Sequence, residues 1–173
     1  MPQRELPKLE EAVKKEFLQL YNRNRGNPLE FRRLLLSEVI EENPLYTEII
    51  SKTVDGGLSH KFNTTDAILL GYKVFKMQCA INGSSMPVVE QSAFHDFIKY
   101  YPDPREGEKI YRKSEEILDE MKRENPVYFE FFSDLFSVAD ENVREEMMVF
   151  FPICYAILRE QAKKDFQKTN PIN

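Results

Sequence analysis

Apolar residues recur along this chain at spacings of three and four, and the positions between them are mostly charged, which is the signature of helices burying one face. Ile110, Ile117, Leu118 and Met121 are the clearest stripe. The dipeptide Asn-Pro punctuates the pattern at Asn27-Pro28, Asn43-Pro44 and Asn125-Pro126, each time ahead of apolar residues at helical spacing. Asparagine caps a helix start by accepting from an orphaned backbone N–H, and proline suits the next position because it has no N–H to leave unsatisfied. Asp103-Pro104 carries the same signal, whereas Asn170-Pro171 lies in the tail and starts nothing. The predicted helices cover about 7–22, 28–41, 44–55, 65–82, 87–100, 104–123, 126–138 and 141–166. Gly56-Gly57 and Asn82-Gly83 fall where left-handed caps would end the third and fourth. Pro152 is expected to kink or divide the last. No segment alternates as a strand does.

The pattern is written twice. "ENPLYTEIIS" from Glu42 returns as "ENPVYFEFFS" from Glu124, and upstream Leu36 and Glu38 face Leu118 and Glu120. After a change of offset, "PKLEEAVKKEFLQLY" from Pro7 lines up with "PVVEQSAFHDFIKYY" from Pro87; by hydrophobic pattern alone, "DAILLGYKVFKM" from Asp66 faces "EMMVFFPICYAI" from Glu146. The expected fold is therefore an all-α bundle of about eight helices in two duplicated four-helix halves related by a pseudo-twofold axis. Residues 1–83 and 84–170 are the halves, packed as one globular domain, with 171–173 as a tail. The repeat is too long for one tetratricopeptide, HEAT or ankyrin unit.

Composition fits this picture without sharpening it. In 173 residues, 42% are hydrophobic and 31% charged, so the chain can bury a core; a net charge of −5 gives no global attraction to nucleic acid or an anionic membrane. The two cysteines, Cys79 and Cys154, sit singly in apolar helical patterns, as buried thiols do in a reducing compartment. The charged N-terminus is unlike a signal peptide, and the longest apolar run, "MMVFFPICYAIL", is short of the roughly 20 residues a membrane span needs. A cytoplasmic protein without a membrane partner is expected.

Candidate chemistry is sparse. "YNRNRGNPLEFRR" places Arg23, Arg25, Arg32 and Arg33 around a loop entering a helix, where guanidinium groups and backbone N–H groups suit an anion or a nucleic-acid backbone. The corresponding "YPDPREGEK" is not basic. From Glu115 to Met148 there are eleven acids against Lys122, Arg123 and Arg144, a surface suited to a basic partner. Tyr46 and Tyr128 hold matching positions in the repeated phrase, beside the expected groove between the halves. In "VYFEFFSDLF", apolar residues lie around most of the helix, which must be covered by other helices or by a partner.

The pair His95-Asp96, with His60 earlier and acids such as Asp134 and Asp140 later, resembles the HD phosphohydrolase family. That resemblance implies a metal held by His60, His95 and Asp96, activating water against a phosphate ester. The chain departs from the family in having Phe97-Ile98-Lys99 after the pair, where Gly-Lys is common. No phosphate-binding glycine loop, no nucleophile elbow and no EF-hand spacing occurs. The expected function is a non-enzymatic interaction module without a cofactor, binding a protein partner or a second copy. A metal-dependent HD-like phosphohydrolase is the enzyme alternative, and a nucleic-acid-associated protein using the Arg23–Arg33 loop is the third.

Overall fold

A computed structural model describes residues 8–53, 61–93, 95 and 107–169. Among them every regular element is helical: α1 (Glu11–Asn24), α2 (Pro28–Glu42), α3 (Pro44–Thr53), α4 (Thr64–Ile81), α5 (Gly107–Glu124), α6 (Pro126–Val138) and α7 (Glu141–Thr169). Residues 91–93 and 95 belong to one further helix. The Gly56-Gly57 and Asp103-Pro104 signals lie outside the described residues. The α2, α3, α6 and α7 starts fall where the capping chemistry puts them, whereas α1 begins at Glu11, later than expected. Asn82 ends α4 as anticipated: Gly83 takes φ +67°, and the N–H groups of Gly83 and Ser84 bond to the carbonyls of Ala80 and Cys79 at 3.1 and 2.9 Å. Only glycine adopts that conformation without strain.

The helices α4 and α7 are buried on most sides and pack against each other at the centre. Around them α2 lies on α4 and α5 on α7, while α1 bridges α4 and α6. Phe17 of α1 meets Phe131 of α6 edge to face at 5.2 Å. Pro152 neither divides α7 nor ends it. Its neighbours Phe151, Ile153, Cys154 and Tyr155 are buried with it, and their packing outweighs the one backbone bond that proline forfeits.

Contacts recur at matched places in the two parts of the chain. The Val89 N–H donates to Asn43 Oδ1 at 2.9 Å, and the Leu9 N–H donates to Asn125 Oδ1 at 2.8 Å. The Glu10 N–H donates to Gln78 Oε1 and the Glu90 N–H to Gln161 Oε1, at 2.8 and 3.0 Å. Gln78 then donates to Asn82 and Gln161 to Asp165, both at 3.0 Å. Lys76 bridges Glu38 and Glu42, as Arg159 bridges Glu120 and Glu124. Tyr46 stacks on Tyr72 at 5.4 Å, and Tyr128 on Tyr155 at 4.9 Å.

These pairs correct two expectations. Asn43 and Asn125 open α3 and α6 with the same backbone geometry as N-caps, but their side chains reach across the molecule to the segments before the first helix of the opposite part. Asn125 makes no side-chain cap bond to its own helix, and the Asn43 amide donates to the Pro87 carbonyl at 2.8 Å. The register of α4 against α7 also differs from the one read off hydrophobicity. Tyr72, Lys76 and Gln78 answer Tyr155, Arg159 and Gln161, so Asp66 answers Val149 and not Glu146. A slip of three residues is nearly one helical turn and leaves the apolar stripe almost in place, so periodicity could not detect it.

Candidate functional site

The α1–α2 turn and the start of α4 enclose a cavity of about 210 Å³ lined by Tyr21, Phe31, Phe62, Leu35 and Leu70, with Arg25, Arg32, Asn24 and Asp66 as its polar members. Each element contributes for a local reason. Helix α1 ends at Asn24, whose amide bonds back to the Leu20 carbonyl at 2.8 Å, and the chain turns at Gly26 into the Asn27-Pro28 start of α2. Asn27 Oδ1 accepts from the Glu30 N–H at 3.3 Å, so here the asparagine does cap its own helix. Tyr21 and Phe31 meet edge to face at 6.2 Å across the turn. On the far wall a reciprocal capping box fixes α4: the Asp66 N–H donates to Asn63 Oδ1 and the Asn63 N–H to Asp66 Oδ2, both at 3.0 Å.

The four arginines have different fates. Arg32 forms a two-pronged pair with Asp66, its Nη2 reaching Oδ2 at 2.7 Å and the Lys61 carbonyl at 3.2 Å; both partners are largely buried. Arg33 turns outward and pairs with Glu30 of its own helix at 2.7 Å. Arg23 and Arg25 are exposed and make no ion pair or side-chain hydrogen bond with a described residue. Both lie at the C-terminal end of α1, where positive charge offsets the helix dipole. The basic loop is thus two charges strong, not four, because Asp66 and Glu30 neutralise the others.

The tyrosines of the repeated phrase are not surface groups. Tyr46 is 1% exposed and Tyr128 3%, so the place expected to be a groove between the halves is packed core at these rings. The Tyr128 hydroxyl donates to the Gly71 carbonyl at 3.0 Å, and the Tyr46 hydroxyl bonds the Cys154 thiol, the matched place on α7. Burial holds both phenols well above their ordinary range. Burial also pushes the Cys154 thiol up to about 12 and Cys79 to about 11, so both are protonated, inert fillers at neutral pH.

For the metal reading, His95 is exposed on its helix, while His60 and Asp96 lie outside the described residues. Among the described residues no three His, Cys, Asp or Glu side chains converge. Some of the acids after Glu115 are drawn into the scaffold, Glu120 and Glu124 holding Arg159 and Asp134 holding Lys14 of α1 at 3.1 Å, while Asp119, Asp140, Glu141 and Glu145 are exposed. On α6, Tyr128, Phe131 and Phe132 are buried, and Val127, Phe129, Leu135 and Phe136 pack partly buried against the core. Other helices cover that face in part. Sequence reasoning missed Tyr21, Phe31, Phe62 and Asp66 as cavity walls, because Phe62 and Asp66 come from a distant helix start. The Asn63-Thr-Thr-Asp66 capping pattern was the one available signal.

Among the described residues no helix is long and apolar enough to cross a membrane. Compared with known proteins, the chain matches no family model, no curated protein and no solved structure.

Proposed function

We propose that this chain is a non-enzymatic binding module, made of two duplicated halves over 1–83 and 84–170, whose recognition site is the α1–α2 corner. The paired bonds of Asn43 with Asn125, and of Gln78 with Gln161, support the duplication, since unrelated helices have no reason to repeat side-chain bonds at matched places.

The binding reading rests on one observation, the ring-walled cavity bordered by Arg25, which pairs with no described residue. Its matched place in the second half carries Ile110, Glu145 and Val149 where the first has Pro28, Phe62 and Asp66. A scaffold that repeats its internal bonds but changes the lining of this corner, among the described residues, has a reason at that corner. Small concave sites with apolar walls and a few polar groups are where ligands and partner side chains settle.

Nuclear magnetic resonance on the ¹⁵N-labelled full chain tests this with four fluorescein-free hexapeptides, one acidic, one basic, one aliphatic and one aromatic. Saturable shifts confined to residues 21–35 and 62–70 support it. Shifts centred on another face, or none with any peptide at millimolar concentration, overturn it.

A further inference from the structure

The size and charge of the corner narrow its ligand, and the inference that follows rests on the binding-module reading above. An apolar cavity of ~150 Å³ takes one benzene ring, so a cavity of about 210 Å³ has room for a single six-membered ring and little more. Tyr21, Phe31 and Phe62 can meet such a ring edge to face, the arrangement aromatic pairs prefer. The cavity's own charged pair is spent, since Asp66 is satisfied by Arg32 and by the Asn63 N–H. What remains unanswered by any described residue is positive: Arg25 on the cavity wall and Arg23 two residues before it.

On a chain of net charge −5 this is a local inversion of sign, so it selects among partners that the rest of the surface would repel. We infer that the corner binds a partner polypeptide through one aromatic side chain seated among Tyr21, Phe31 and Phe62, with acidic residues beside it engaging Arg25 and Arg23. A nucleic-acid strand fits less well. Its phosphates need a basic track, and the next two arginines along α2 are paired with Asp66 and Glu30.

A second copy of this chain is the competing occupant. Among the described residues its most exposed ring is Tyr111, at 56%, with Glu108 and Glu115 one turn away on the same helix face. Self-association lost in Tyr111→Ala would therefore overturn a separate partner.

The test is fluorescence anisotropy of the full chain with a labelled hexapeptide, Gly-Asp-Glu-Phe-Asp-Gly, at low salt, beside versions with Phe changed to Ala and with the acids changed to their amides. Expected are a tenfold or greater loss without the ring and about a five- to tenfold loss without the acids, the latter shrinking as salt rises. Arg25→Ala should reproduce the loss seen with the amides and Arg25→Lys should restore part of it, while Arg33→Ala changes nothing. Tight binding of the amide peptide with shifts still at the corner overturns the acidic partner but leaves the binding site standing. Binding that ignores Arg25 and perturbs another face removes both. Free phenylacetate binding as tightly as the peptide would mean a small-molecule site and overturn the docking of a polypeptide.

Discussion

Where α2 meets α4, Arg32 crosses to Asp66 with two hydrogen bonds; where α5 meets α7, the matched Ser114 hydroxyl reaches the Val149 carbonyl at 3.1 Å. One junction holds a buried ion pair and the other a single neutral bond. The contacts that lock the two parts together behave differently, for Asn43 and Asn125, Gln78 and Gln161, and the stacked tyrosines make the same bonds on both sides. The shared contacts repeat whether buried, as at Asn43 and Asn125, or partly buried, as at Gln78 and Gln161, whereas the α2–α4 junction uses a largely buried ion pair and the α5–α7 junction a buried hydroxyl. The difference between the junctions is therefore the feature that points to a site, and the sameness of the centre is the feature that points to a scaffold.

The comparison breaks most sharply at the asparagines. Asn43→Ala leaves the Val89 N–H and the Pro87 carbonyl buried without partners, and Asn125→Ala does the same to the Leu9 N–H. Each should cost about 3 kcal/mol, well above the loss of an ordinary helix cap. Urea unfolding of the two variants should give equal losses within about 1 kcal/mol. A silent Asn125→Ala would mean that the two clasps are not equivalent in energy.

At the diverged junctions the expected result is inequality. Arg32→Ala strands Asp66 in a mostly buried place and should cost about 2–3 kcal/mol, discounted from a fully buried pair for its residual exposure. Ser114→Ala removes one neutral bond and should cost about 1 kcal/mol. Equal costs would show that the ion pair adds nothing to the scaffold beyond what the hydroxyl does.

Gly71 and Cys154 sharpen the same contrast, since each serves a tyrosine from the other part of the chain. A methyl group on Gly71 would stand 2.9 Å from the Tyr128 hydroxyl and 3.0 Å from the Phe151 ring, both held by packing. Gly71→Ala should cost about 1–2 kcal/mol even after the gain in helix propensity. Cys154→Ala trims a side chain without a clash and should cost about 1 kcal/mol. Thermal unfolding of both variants separates overpacking from loss of contact.

Much of the fold was legible because helix starts are written locally. Asn27, Asn43, Asn125 and Asn63 each stand immediately before a helix, and proline fixes the next position in three of them. What the asparagine side chains do was not legible. The same residue caps its own helix at Asn27 and reaches across the molecule at Asn43 and Asn125, and only the tertiary arrangement decides which donor lies nearest. The corner was half visible: the arginines were in plain view, but Asp66 and Phe62 come from 30 or more residues away, so neither the neutralised Arg32 nor the ring-lined wall could be read from the loop itself.

The smallest effect tests whether the matched tyrosines are matched in energy as well as in place. Burial pushes Tyr72 and Tyr155 up from 10.0 to about 12; an Asn43 or Asn125 amide pulls each back a little. The unfolded chain therefore releases these protons first as pH rises, so stability is intact below pH 9 and falls through the range from 10 to 12. At pH 10 each tyrosine contributes about 0.4 kcal/mol of that fall. Changing either to Phe removes its share of the slope, whatever the substitution costs at neutral pH. Unfolding free energies at pH 8 and pH 10 for Tyr72→Phe and Tyr155→Phe should therefore show the alkaline loss reduced by the same few tenths in both. A slope unchanged in one and reduced in the other would mean that the two rings, alike in stacking, are unlike in their access to water, and the equivalence of the two clasps would end at their geometry.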